Sequence, residues 1–190
     1  MAGHKFDPEK AERLIAPERY HRMKPDVLLQ ILGLPPGSTI LDLGCGNGFF
    51  TFPASAAMGE DGRVIAADTS QEMLDLLGER EPRLNVQLLL VEEVAIDLSD
   101  DEVDGAVLIN VFHEFHEPEQ NLRELYRVLR PGGKLMVVDW LPDQGLENGP
   151  PQEHRVPRAT AEELIEGSGF VLDKCTDYEG EWWLILAHRP

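Results

Sequence analysis

Two kinds of residue are scarce in this 190-residue chain: cysteine, of which there are 2, and cationic side chains, with 17 Lys and Arg against 35 Asp and Glu. Cys45 and Cys175 lie far apart and form neither a C-x-x-C pair nor a metal-ligand cluster, so no disulfide framework, zinc module or other metal site is expected. Such sparing use of cysteine fits a reducing compartment, and the expected location is cytoplasmic. The shortage of cations leaves a formal charge of -18. A surface of that sign repels phosphate backbones and anionic lipid, which argues against nucleic acid and membranes as partners. Long apolar runs are also missing: nowhere do about 18 consecutive apolar residues occur, and none follows the first charges after Met1, so neither a spanning helix nor a signal peptide is expected.

What is present is ordinary globular material, 42% apolar and 27% charged, in a length that sets an expectation of one domain. From Ile40 onward, short apolar runs alternate with amphipathic stretches. The runs at 40–43, 64–67, 86–91, 106–109 and 135–138 are brief and nearly continuous, as strands buried on both faces should be. Between them, Leu122, Leu125, Tyr126 and Leu129 repeat at helical spacing, with Pro118 near the start and Pro131-Gly132-Gly133 as the stop. Ser70 is placed to cap a helix through Met73, Leu74 and Leu77, and Thr160 with Glu163 forms a capping-box pattern for another. Residues 171–176 and 182–188 read as a closing hairpin, with one of Trp182 and Trp183 in the core and the other at the surface or an interface. The expected fold is α/β, Rossmann-like and doubly wound, with a mostly parallel seven-stranded sheet and a C-terminal antiparallel hairpin strand. Its parts are a helical N-terminal cap (1–37), a core (38–139), a long Pro- and Gly-rich loop (140–158) and a C-terminal helix and hairpin (159–190).

The segment Asp42-Leu43-Gly44-Cys45-Gly46-Asn47-Gly48 sets three glycines directly after the first strand. Glycine suits a strand-to-helix turn that needs unusual backbone angles and close approach of a ligand. Asp68 ends the next strand, twenty residues after Gly48, where a carboxylate is placed to accept both hydroxyls of a ribose. A dinucleotide fingerprint would need a glycine at position 49, which is Phe, and the acidic Asp42 beside the turn disfavours a pyrophosphate and suits an ammonium or sulfonium ligand.

This glycine motif, Asp68 within Val64-Ile-Ala-Ala-Asp-Thr-Ser, and Leu125-Tyr-Arg-Val-Leu-Arg-Pro-Gly-Gly-Lys-Leu together resemble class I S-adenosylmethionine-dependent methyltransferases over roughly residues 36–140. The chain is similar to the small branch related to ubiquinone and menaquinone biosynthesis methyltransferases. The resemblance implies S-adenosyl-L-methionine as cofactor, S-adenosyl-L-homocysteine as product and a small-molecule methyl acceptor. It implies that Gly44, Cys45, Gly46 and Asn47 form the cofactor turn, that Asp42 helps hold the amino-acid end and that Asp68 grips the ribose. Glu92 and the Glu93 amide would meet the adenine, with Thr69, Met73 and Val94 around its ring, and the Asn110 backbone carbonyl would meet the methionine ammonium. Thr69 stands where relatives have an apolar residue, and Glu92 where they commonly have Asp.

Other residues are candidates by position. His113, after the fourth strand, stands at the open end of the sheet as a base or substrate-orienting group. The order His113-Glu114-Phe115-His116 departs from the H-E-x-x-H zinc signature, the second histidine falling one position early. His154 and Arg155 in the long loop, and Tyr20 with His21 and Phe6 in the N-terminal region, are substrate or lid candidates. Asp100-Asp101-Glu102 and Asp104 read as a solvated turn. A cofactor-binding regulatory or scaffold protein without turnover is the alternative, and a nicotinamide-dependent oxidoreductase a second, which Phe49 weakens.

Overall fold

The computed structural model describes residues 13–80, 85–142 and 149–190; Phe6 and part of the long loop fall outside them. Two short helices, α1 (Pro17–Met23) and α2 (Pro25–Leu32), precede a run of alternating elements. These are β1 (Thr39–Leu43), α3 (Thr51–Met58), β2 (Arg63–Asp68), α4 (Gln71–Arg80), β3 (Val86–Leu90), β4 (Val103–Ile109), α5 (Pro118–Val128), β5 (Leu129–Trp140), α6 (Arg158–Gly167), β6 (Val171–Tyr178) and β7 (Trp182–His188). The seven strands form one sheet in the order β3-β2-β1-β4-β5-β7-β6. The first five run parallel, whereas β7 is antiparallel to both β5 and β6. The chain winds outward from β1 to β3 and then returns to β4, so the order reverses between β1 and β4. Crevices at such a point, at the carboxyl ends of the strands, are where doubly wound sheets bind ligands.

The strands are apolar throughout because both faces are covered. Ile40, Val64, Val107 and Met136 face a layer with Met23, Leu28, Leu32, Phe49, Phe50 and Ala54, while Leu41, Ile65, Leu108 and Leu135 face Leu122, Leu125, Ala161 and Ile165. Burying a Leu or Phe side chain contributes roughly 1.5–3 kcal/mol, so this alternation commits each strand to one register. Trp182 and Trp183 follow it as well, one in each layer and both fully buried. The expectation of one surface tryptophan fails because β7 is an interior strand, set between β5 and β6.

Other local expectations shift for tertiary reasons. β3 is an edge strand, and Leu88 and Leu90 are 40% and 52% exposed instead of buried. The helix expected through Leu129 ends at Val128, and Pro131-Gly132-Gly133 lies inside β5 at a register shift, where Gly132 and Gly133 exchange backbone hydrogen bonds with Arg189. Ser70 Oγ does accept the Met73 N–H, at 3.3 Å. Thr160 does not cap α6, whose N-cap is Pro157. The acidic turn is ion-paired: Asp100 with Arg127, Asp101 with Arg189, Glu102 with Arg63 and Asp104 with Arg130.

The N-terminal helices are held from the far end of the chain. Tyr178 donates its hydroxyl to the Met23 carbonyl at 2.8 Å, and Glu181 and Glu179 pair with Arg22 and Lys24 at 2.6 Å each. Lys24 itself is in the left-handed region, φ 50°, at the bend between α1 and α2.

Candidate functional site

β1 ends in Asp42-Leu43 and the chain turns through Gly44 and Gly46, at φ 72° and 52°. A Cβ on Gly44 would stand 2.4 Å from Val111 Cγ2, so the residue after Asn110 packs directly against the turn and only glycine fits. The Gly44 and Cys45 amides both donate to the Ala67 carbonyl, at 2.8 and 3.0 Å, which ties the turn to the end of β2. Cys45 is buried with Ala66, Leu74 and Leu77, and burial pushes its thiol well above the ordinary range. Asn47 is buried too, and its carbonyl accepts from Arg80 at 3.1 Å.

Asp68 completes this corner. Its Oδ2 accepts the Gly46 N–H at 2.8 Å and its Oδ1 accepts the Ser70 N–H at 2.9 Å. These contacts fix the carboxylate's orientation beside the glycine turn. Asp42 lies beneath the turn, 2% exposed, and takes the Thr51 hydroxyl at 2.6 Å. Burial pushes its carboxyl up to about 7, the Thr51 hydrogen bond opposes this, Asp68 adds to it and Arg19 opposes it.

Around this corner, Thr69 is exposed and Met73 buried at the start of α4. Glu92, exposed, forms an isolated backbone bridge with Ala95, and the Glu93 carboxylate pairs with His116. Val94, between them, is half-buried. An open depression of about 430 Å³ is lined here by Leu90, Val91, Glu92, Ala95, Ile96 and Asp97. On the other side, Asn110 ends β4 at φ 60°, and its buried Oδ1 has no hydrogen-bond partner. A buried acceptor without a donor is costly, and this one stands at the reversal point of the sheet.

The N-terminal segment reaches the same turn. Leu14 Cδ1 stands 3.2 Å from where a Gly46 Cβ would be, and Tyr20 donates its hydroxyl to the Phe49 carbonyl at 3.0 Å. Arg19 lies over the Phe49 ring at 4.1 Å. Arg19 was not among the residues expected from sequence, since nothing local to α1 signals that it folds onto the turn.

His113 lies in a short turn, Phe112–Glu114, after β4. Its backbone N–H donates to Asp139 Oδ2 at 3.0 Å and its Nδ1 lies 2.8 Å from Asp139 Oδ1. Asp139 was also missed, although its place at the end of β5 was a usable signal. His154 and Arg155 separate in role. The Arg155 guanidinium is buried, donates to the carbonyls of Pro150 and Leu141 at 3.0 and 3.2 Å and lies over Trp140. It thus ties Leu141 to Pro150 within the long loop, where a substrate-orienting cation is expected from the sequence. His154 is half-buried in the turn Gln152–His154. Among the described residues no three His, Cys, Asp or Glu side chains are arranged to hold a metal ion, and no helix is long and apolar enough to cross a membrane.

A glycine turn after the first strand, an acid at the end of the second and an orphaned acceptor at the end of the fourth define a Rossmann-like α/β protein with a site for an adenosine-bearing ligand. The comparisons with known proteins name its kind. Residues 41–137 match the family described as a methyltransferase domain. A crystal structure of a SAM-dependent methyltransferase from Aquifex aeolicus is 33% identical, with a TM-score of 0.92 over 98% of this chain and 100% of that one. The ubiquinone/menaquinone biosynthesis C-methyltransferase UbiE of Escherichia fergusonii is 32% identical over 63% of this chain and 49% of its own. The tRNA (carboxymethyluridine(34)-5-O)-methyltransferase ALKBH8 of Mus musculus is 31% identical over 67% of this chain and 18% of its own. The chain therefore spans about half or less of these two curated relatives. It belongs to the methyltransferase domain family, and its cofactor is S-adenosylmethionine. The residues present fit that group: Asp68 suits the ribose, and the unpartnered Asn110 Oδ1 suits a cationic donor such as the methionine ammonium.

Proposed function

We propose that this chain transfers the methyl group of S-adenosylmethionine to a small-molecule acceptor and releases S-adenosylhomocysteine. The observation that carries the reading is the Asp68 carboxylate, held at the end of β2 beside the glycine turn by the Gly46 and Ser70 amides. The cofactor supplies a methyl group already activated by its sulfonium, so the protein's work is alignment, exclusion of water and, where needed, removal of a proton. In this reading Gly44, Cys45, Gly46 and Asn47 form the cradle, Asp42 places negative charge beneath it and Asn110 receives the ammonium. Thr69, Met73, Glu92, Glu93 and Val94 surround the adenine. His113 stands at the acceptor side as base or orienting group.

The whole chain works as a single domain in a cytoplasmic setting. Its specificity comes from the N-terminal cap, with Tyr20 against the turn, and from the loop that Arg155 clasps, with His154 at its rim. The charge of -18 favours a small acceptor over RNA. Calorimetry with S-adenosylhomocysteine, followed by incubation with methyl-labelled S-adenosylmethionine and either a metabolite extract or bulk tRNA, tests this. Label entering a metabolite supports the proposal; label entering tRNA alone, or no binding of S-adenosylhomocysteine, sinks it.

A further inference from the structure

Asp139 closes β5 with a carboxylate that is 2% exposed. Three donors surround it. Oδ1 accepts the Trp140 N–H at 2.7 Å and lies 2.8 Å from His113 Nδ1, while Oδ2 accepts the His113 backbone N–H at 3.0 Å. An ionised carboxylate can only accept, so the proton of this contact sits on His113 Nδ1. The neutral imidazole is then the Nδ1–H tautomer, with its lone pair on Nε2. Because one carboxylate grips both the backbone and the ring of His113, it fixes where that lone pair points.

The charged groups facing the ring are Asp139 from β5, Glu114 from its own turn and Arg155 from the segment before α6. Glu114 Oε1 stands 3.9 Å from Nε2, beyond hydrogen-bond reach. Burial pushes the imidazole's affinity for a proton down, Asp139 by charge and hydrogen bond and Glu114 by charge push it up, Arg155 pushes it down, and the balance lies above the ordinary histidine value. The His113 side chain is 5% exposed, so this basicity is sheltered from bulk water. His113 stands three residues after Asn110 and two after Val111, which packs on Gly44, so the ring belongs to the same end of the sheet as the glycine turn.

We propose that His113 Nε2 is the base of the reaction, that Asp139 is its positioning residue and that the acceptor is a hydroxyl or amine compound with a proton to lose. This rests on the methyltransferase reading above. The acceptor's oxygen or nitrogen forms a bond to the methyl carbon, the carbon–sulfur bond breaks with its electron pair left on sulfur, and the acceptor's proton passes to Nε2. Asp139 touches neither reactant and keeps its own charge throughout. A thioether, a tertiary amine or a halide carries no such proton and has no use for this pair of residues.

Long-range proton–nitrogen correlation spectra of the nitrogen-15-labelled protein, with His113→Gln to assign the ring, test the positioning directly. The neutral His113 ring should carry its proton on Nδ1, titrate above the ordinary histidine value, and titrate lower in Asp139→Asn. A neutral ring protonated on Nε2, or a titration point unmoved in Asp139→Asn, overturns the proposal; if that variant does not fold, the wild-type tautomer decides alone. For the acceptor class, methyl-labelled S-adenosylmethionine is offered with a pool of alcohols, phenols and primary and secondary amines, or with a pool of thioethers and tertiary amines. Product from the first pool, lowered at least about tenfold in His113→Gln, is expected. Product from the second pool alone, or from neither, overturns the class as long as S-adenosylhomocysteine binds. Failure of that binding in the wild-type protein sinks the methyltransferase reading instead.

Discussion

Asp68 and Gly46 are joined by a 2.8 Å hydrogen bond that ties the carboxylate at the end of β2 to the turn after β1. The same side chain therefore shapes the turn and, in the proposed function, meets the ribose. Hydrogen bonds to a charged group contribute about 1.5–3 kcal/mol, so Asp68→Ala should weaken S-adenosylhomocysteine about 10- to 100-fold in calorimetry. Unchanged affinity would remove the central support for the cofactor site.

Gly44→Ala should cost stability as well as binding. A side chain at φ 72° is strained by about 1–2 kcal/mol, and its Cβ would press on Val111 at 2.4 Å. Thermal unfolding should show a lowered midpoint that Val111→Ala partly restores, because only the steric part is relieved. No restoration would mean that the backbone angle alone carries the cost.

Asp42 predicts a pH dependence. Its carboxyl is held at about 7 in the fold against 3.8 ordinarily, chiefly by burial. A group whose native pKa is raised contributes stability that is fully present below its unfolded value and lost as pH rises through the native one. Urea unfolding should thus show this contribution, on the order of a few kcal/mol, fading between about pH 4 and pH 7, and Asp42→Asn should flatten that slope. A cationic ligand favours the ionised form, so binding of S-adenosylmethionine near pH 7 should release protons, read by calorimetry in buffers of different ionisation enthalpy. Asp42→Asn should abolish the release.

Arg155→Leu leaves the Pro150 and Leu141 carbonyls without their buried donor. Unmet polar groups of this kind cost about 1–3 kcal/mol each. Faster amide exchange across residues 149–155 should appear together with a lower unfolding midpoint, and Arg155→Lys should not rescue it, since a single ammonium cannot span both carbonyls as the guanidinium fork does. Exchange unchanged from the wild-type protein would show that the loop holds itself.

The cofactor corner was legible because its signals are local: three glycines in a row of alternate positions, then an acid at the end of the next strand. The doubly wound fold was legible from the same alternation. Residues that act across the fold were not. Asp139 reaches His113 over 26 positions, and Arg155 spends its charge on carbonyls that only the folded loop supplies. The turn at Asp100–Asp104 looked solvated because its partners, Arg63, Arg127 with Arg130, and Arg189, come from three separate stretches. One of Trp182 and Trp183 is expected at the surface or an interface, yet both are buried, because strand alternation alone does not say that both faces are covered.

The grip of the β6–β7 turn on α1 and α2 sets an order of events during synthesis. Arg22, Met23 and Lys24 leave the ribosome some 155 positions ahead of their partners Glu181, Tyr178 and Glu179. The pairing of β1 with β2 and the ties of the glycine turn to Ala67 and Asp68 can form in the meantime, since these partners lie before Trp140. The helix that carries Tyr20 to Phe49 is fastened only after Glu181 has emerged, so a nascent chain exposes its glycine turn before it is able to cover it.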